Sequence, residues 1–117
     1  MTLKTDYHEI LFEVIDDVAW ITINRPQVRN AFREQTLDEL IEAVKSTRED
    51  PSIVAAVITG AGDKAFSAGG DFAAMMKLNR ANALHWNDRM LSLAMAIRGV
   101  PIPVIAMVHG ACMGGGD

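Results

Sequence analysis

The stretch that decides the fold is Lys64-Ala65-Phe66-Ser67-Ala68-Gly69-Gly70-Asp71-Phe72. It follows the β-branched apolar run at 54–59 and precedes a helix-compatible run at 72–78. Adjacent glycines at such a junction let the backbone turn sharply and approach a ligand closely, because they lack Cβ. Asp71 is a good N-cap, so a helix starting there leaves unpaired N–H groups facing out of the turn. Donors of that kind suit an anion or a developing oxyanion. A second copy of the arrangement lies downstream. There the apolar run at 103–108 leads into His109-Gly110-Ala111-Cys112-Met113-Gly114-Gly115-Gly116-Asp117. Two such junctions, each giving one N–H to a single oxygen, would assemble a two-donor oxyanion hole from distant segments.

These residues also carry a resemblance. Ala65-Phe66-Ser67-Ala68-Gly69-Gly70-Asp71, then His109-Gly110 through Gly114-Gly115-Gly116, with Asn24-Arg25-Pro26 and Asn30-Ala31-Phe32 upstream, resemble the crotonase (enoyl-CoA hydratase/isomerase) superfamily. The match runs in order over nearly the whole chain.

Composition agrees with a folded domain. The chain has 117 residues, half of them hydrophobic and 22% charged, which places it among globular rather than disordered sequences. A net charge of −4 without a basic cluster argues against nucleic acid as a partner. Cys112 is the single cysteine, so no intrachain disulfide forms and a reducing compartment is the natural setting. Residues 1–6 lack the apolar region of a signal peptide. The longest apolar run, at 100–108, is too short and proline-rich to span a bilayer. The expectation is a cytoplasmic protein with no membrane association.

Along the chain, residues 9–15 and 18–24 read as a β-hairpin closed by Asp16-Asp17, with Ala19, Ile21 and Ile23 on the more apolar face. Arg25-Pro26 ends the second strand. Thr36-Leu37-Asp38-Glu39 has the capping-box pattern, and Leu37, Leu40, Ile41 and Val44 follow at helical spacing until Asp50-Pro51. Residues 54–59 read as a strand buried on both faces. A longer helix is expected over 81–98, burying Trp86, Met90, Leu93, Ala94 and Ile97 and ending at Gly99 and Pro101. Residues 103–108 read as another buried strand, and the last glycine junction should open a further helix. Strand then helix, twice over, is a right-handed α/β winding.

The resemblance refines that pattern to an α/β, crotonase-like spiral of ββα units. A chain ending one residue past the glycines is then expected to be truncated before its C-terminal part, with residues 1–117 the N-terminal portion of a single crotonase-like domain. The resemblance also implies the chemistry. Gly70 and Gly115 would donate their N–H groups to the thioester carbonyl of an acyl-CoA and stabilise its enolate. Ala68, Gly69 and Gly114 would lie against the CoA ester beside Asp71, and Arg29 would face CoA phosphate or ribose, to which a guanidinium is suited. Coenzyme A would enter as part of the substrate, with no permanently bound cofactor. The assembly would be a homotrimer or a dimer of trimers.

Several residues read as structural. Asp71 is a helix cap rather than a base, Arg25 is structural, and His109 is packed. His8, His85 and His109 are not at metal-ligand spacing, so no metal site is expected. Most methionines should fill core, with Phe72, Met75 and Met113 as candidates for an acyl pocket. Hydratases of the superfamily use two glutamates as acid and base; the first would follow Asp117, so residues 1–117 alone should be inactive. Related branches, naphthoate-synthase-like condensation or thioester hydrolysis, share the same hole. A non-catalytic CoA-binding fragment is a further alternative. A nucleotide-binding α/β protein fits poorly, because neither junction is Gly-x-Gly-x-x-Gly followed by an acidic residue on the next strand.

Overall fold

A computed structural model describes residues 3–117; Met1 and Thr2, part of the N-terminal segment considered above, lie outside the described residues. The elements follow a repeating order of strand, strand, helix. β1 (Ile10–Ile15) and β2 (Val18–Ile23) precede α1 (Glu34–Ser46), while β3 (Ala55–Gly60) and β4 (Ala65–Ser67) precede α2 (Phe72–Met75) and α3 (Arg80–Gly99). β5 (Val104–Ala106) and β6 (Ala111–Cys112) then lead into a 3-10 turn, Gly114–Gly116.

β1 and β2 form the expected hairpin, from Ile10 opposite Ile23 to Ile15 opposite Val18. Asp16 and Asp17 both take left-handed backbone angles, φ 51° and 65°. Such two-residue turns match the right-handed twist of the strands they join. β3 lies parallel to β2 and β5 parallel to β3, giving a four-stranded sheet in the order β1-β2-β3-β5. Ala19, Ile21 and Ile23 point into a core shared with Ile10, Phe12, Leu40, Val44, Ile58 and Phe66. The alternation read from β2 therefore marks the buried face.

Several expectations need correction. Helix α1 begins at Glu34, not after Thr36. Thr36 is a capping partner three residues inside, where its hydroxyl accepts the Arg33 N–H at 3.1 Å. Glu39 leaves the helix end altogether and accepts the His8 and Glu9 N–H groups at 3.1 and 2.7 Å. Val54 is exposed, so the buried strand starts one residue later. The helix expected over 72–78 is a single turn. On α3 the half-buried stripe is Trp86, Met90, Leu93 and Ile97, with Ala96 buried and Ala94 exposed. β5 is shorter than the apolar run that contains it and lies at the sheet edge, with Ile105, Met107 and Val108 exposed. Met75, Met76, Met95, Met107 and Met113 are exposed, so methionine contributes little to this core.

One element was missed entirely. Each glycine junction is preceded by a very short strand, and these two strands, β4 and β6, pair parallel to each other in a second small sheet. That pairing positions the site.

Candidate functional site

The pairing of β4 with β6 sets Ala65 beside Ala111 and Ser67 beside Cys112. The Ala111 N–H donates to Lys64 O at 3.1 Å, and the Met113 N–H donates to Ser67 O at 3.0 Å. Both strands therefore deliver their glycines to the same place. A Cβ built on Gly69 would stand 2.8 Å from Met113 O and 3.4 Å from Gly115 N. Gly69 has φ +97°, a conformation that side chains disfavour, so glycine is required there twice over.

The N–H groups around the junction divide into used and unused donors. Gly69 N–H donates to the Ser67 hydroxyl at 3.1 Å and Asp71 N–H to Phe32 O at 2.7 Å. Gly116 N–H donates to Met113 O and Asp117 N–H to Gly114 O. Among the described residues, Gly70 N–H and Gly115 N–H donate to neither backbone nor side-chain acceptors. These are the two donors that the family resemblance implies.

A polar scaffold holds the first junction. Asn30 is fully buried with φ 58°, which asparagine tolerates better than most residues. Its Oδ1 accepts the Arg25 N–H, its Nδ2 donates to Ala61 O and Ala65 O, and its carbonyl accepts the Ser67 hydroxyl at 2.8 Å. Arg25 is buried as well. Its guanidinium donates to Ala31 O at 2.6 Å and Asp71 Oδ2 at 3.0 Å, and lies 3.7 Å from Glu9. Glu9 also receives Arg33 and, at 2.5 Å, the Thr36 hydroxyl.

Asp71 caps α2 by accepting the Ala74 N–H at 3.0 Å. That hydrogen bond, with help from Arg25 and against the cost of burial, holds its carboxyl below the ordinary carboxylate range. Burial alone would push Glu9 up, but the hydrogen bonds from Arg33 and Thr36 together with Arg25 take it below the ordinary range. The structural readings of Asp71 and Arg25 thus agree with their contacts.

The remaining site residues fall into two groups. Arg29, exposed and at φ 53°, accepts the Ala68 N–H on its carbonyl at 3.0 Å, which places it against the Ala68-Gly69 segment. Gly114, φ 54°, turns the second junction. His109 is half-buried, and its ring nitrogen lies 2.8 Å from Gly62 O in an exposed hydrogen bond. Phe72, Met75 and Met113 are exposed and do not line the apolar cavity of about 300 Å³ that opens behind Gly115. Its walls come from Phe32, Leu37, Ile58, Phe66 and Leu93 instead. Among the described residues no group of three or more histidines, cysteines or acidic side chains could hold a metal, and no helix is long and apolar enough to cross a membrane.

Sequence reasoning quoted Asn30, Ser67 and Phe32 but gave them no role. The signal for Asn30 was available: an asparagine following an arginine in a loop suits left-handed backbone and its own side-chain hydrogen bonds. Nothing local marked Ser67 or Phe32.

A mixed α/β sheet, parallel except for its first hairpin, with paired glycine junctions beside it defines the class of protein. The sequence profile of the enoyl-CoA hydratase/isomerase family matches residues 13–117. Solved structures agree. An enoyl-CoA hydratase from Bacillus anthracis is 28% identical over 93% of this chain, with a TM-score of 0.89. An enoyl-CoA hydratase/isomerase from Xanthobacter autotrophicus is 32% identical over 95%, with a TM-score of 0.88. Pseudomonas aeruginosa DspI is 32% identical over 98%, with a TM-score of 0.90. The chain belongs to the enoyl-CoA hydratase/isomerase family, and its fold is the crotonase fold. It spans 43%, 42% and 47% of the length of those three chains respectively.

Proposed function

We propose that the full-length protein is an acyl-CoA enzyme of the hydratase/isomerase type. The Gly70 and Gly115 N–H groups hold the thioester oxygen and stabilise the enolate formed when charge moves onto it. The observation that carries this reading is the β4–β6 pairing, which sets two unspent backbone donors on adjoining segments. Donors fixed in advance need no reorganisation as charge develops, and each is worth roughly 100- to 1,000-fold in rate.

The rest of the site fits a CoA ester. Ala68, Gly69 and Gly114 present little side chain, so the ligand can lie against backbone beside Asp71. Arg29 supplies a positive group at the rim for phosphate or ribose. Coenzyme A enters with the substrate, and no resident cofactor is invoked. A cytoplasmic homotrimer or dimer of trimers is the expected setting.

The test is a crystal structure of the full-length protein with a CoA thioester. The carbonyl oxygen is expected within hydrogen-bond reach of Gly70 N and Gly115 N. An oxygen lying far from both would overturn the assignment.

A further inference from the structure

Phe32 touches both glycine junctions, by two different parts of the residue. Its N–H donates to Gly69 O at 2.9 Å, and its carbonyl accepts the Asp71 N–H at 2.7 Å, forming a parallel bridge to Gly70. In such a bridge the hydrogen bonds come from the neighbours of the bridged residue, so Gly70 turns its own N–H to the opposite side. The Phe32 ring meanwhile packs on the second junction. A Cβ added to Gly115 would fall 2.5 Å from Cζ of that ring. The ring is buried and stacks on Trp86, with centroids 6.0 Å apart and planes 22° from parallel. Trp86 in turn lies 3.4 Å from where a Gly70 Cβ would stand, and Met90 lies 3.0 Å from that of Gly115. The aromatic pair is therefore a floor beneath both glycines.

We propose that Phe32 is a positioning residue that sets the spacing between the Gly70 and Gly115 N–H groups, its backbone fixing one and its ring the other. The proposal rests on the reading that these two groups bind one thioester oxygen. The ring acts as a stop. Its edge stands where a Gly115 Cβ would fall, between that glycine and the apolar cavity, so it limits how deeply the Gly114–Gly116 turn can sink. A shorter, non-planar side chain would keep the backbone bridge and most of the buried volume. It would release the turn.

The experiment uses the full-length protein and Phe32→Leu. Hydrogen exchange is followed on the segments 64–72 and 111–117, with 18–23 as the control. Exchange is expected to quicken in both glycine segments and to stay unchanged in the control. A displacement near 1 Å between donors can cost on the order of 100-fold, so kcat on crotonyl-CoA should fall about that far while KM stays within about threefold. A CoA thioester of an aminocinnamate-type chromophore reads the polarisation directly, as a red shift smaller in the variant than in the parent.

Quickening in only one glycine segment, or in neither, would overturn the proposal, as would equal quickening in the control. If the parent itself gives no red shift, the two-donor reading of the site fails, while the exchange result still decides whether Phe32 spaces the segments. Should Phe32→Leu not fold, Phe32→Met carries the same measurements with a flexible side chain of similar volume.

Discussion

The Arg25 guanidinium donates to the Asp71 carboxylate at 3.0 Å across 46 residues of sequence, and both side chains are buried. With the other oxygen of Asp71 taken by the Ala74 N–H, this carboxylate is spent on holding the chain beside Gly70. Removing the cation would leave Asp71 and Glu9 short of a buried partner. Arg25→Met is expected to cost about 3–5 kcal/mol, the range for breaking a buried pair from one side. Asp71→Asn should cost less, because an amide oxygen can still accept the Ala74 N–H. Urea unfolding of the two variants checks the order; equal losses would contradict it.

Stability should fall in acid for the same reason. Asp71 and Glu9 have folded pKa values below their ordinary ones. Their contribution is complete above the unfolded value, about pH 4, and disappears as pH falls through the depressed folded value. Melting temperatures taken from neutral pH downward should hold steady, then drop below about pH 4. In Asp71→Asn the drop should be shallower. An unchanged acid limb would show that Asp71 is not one of the linked groups.

Two glycines of the site should respond oppositely to an added methyl group. A Cβ on Gly116 meets Ser67 O at 2.5 Å and Ser67 Cβ at 2.8 Å, atoms that cannot step aside. Gly116→Ala is expected to destabilise by about 1–3 kcal/mol or more. On Gly70 the nearest atom is Met75 Sδ at 2.6 Å, the end of a flexible and exposed side chain. Gly70→Ala should leave stability within about 1 kcal/mol yet lower the activity of the full-length protein. Thermal melts and turnover measured together test the split.

The hairpin offers a stabilising change. Asp17 sits at φ 65°, where a side chain is strained by about 1–2 kcal/mol and glycine is not. Glycine recovers that strain but frees the unfolded chain, so Asp17→Gly should gain about 0.5–1 kcal/mol. A loss of stability on denaturant titration would mean that the aspartate side chain matters more than the turn.

Residues 1–117 by themselves should not hydrate crotonyl-CoA. Polarising the carbonyl does not move protons, and a positioned acid or base supplies about 100- to 10,000-fold. Asp71 adjoins Gly70 but is consumed by Ala74 and Arg25. Loss of enoyl absorbance is the assay, with the full-length protein as comparison. Comparable turnover would give Asp71 or Asp117 the carboxylate role that the cap reading denies.

What could be read from the sequence was local. The alternation of Ala19, Ile21 and Ile23 and the stripe of Leu37, Leu40 and Val44 gave β2 and α1, because period and burial coincide there. The glycine pairs announced their turns through backbone freedom. β4 and β6 escaped notice because three and two residues are too few to show a period. The burial of 103–108 was overstated, since apolar content does not reveal that β5 would lie at a sheet edge. Thr36 and Glu39 fitted a capping box, but the buried N–H groups of His8 and Glu9 claimed the glutamate. Nothing in the residues around Phe32 marks it out. Its importance comes from two contacts made at Gly69-Gly70 and Gly115, far along the chain.

The partnership of Ser67 with Cys112 also has a consequence for the order in which the molecule forms. The β1–β2 hairpin closes over two residues, and such hairpins form within about 1–10 μs. β4 pairs with β6 across two intervening helices, and the entropy of closing so long a loop must be met before any contact rewards it. The glycine donors should therefore come together late in refolding, after the β1–β2 hairpin. Pulse labelling during refolding would show this as protection at Ala111 and Met113 lagging behind protection at Trp20 and Thr22, whose N–H groups face β1. A nascent chain would already be structured through much of its length before it had anywhere to place an oxygen.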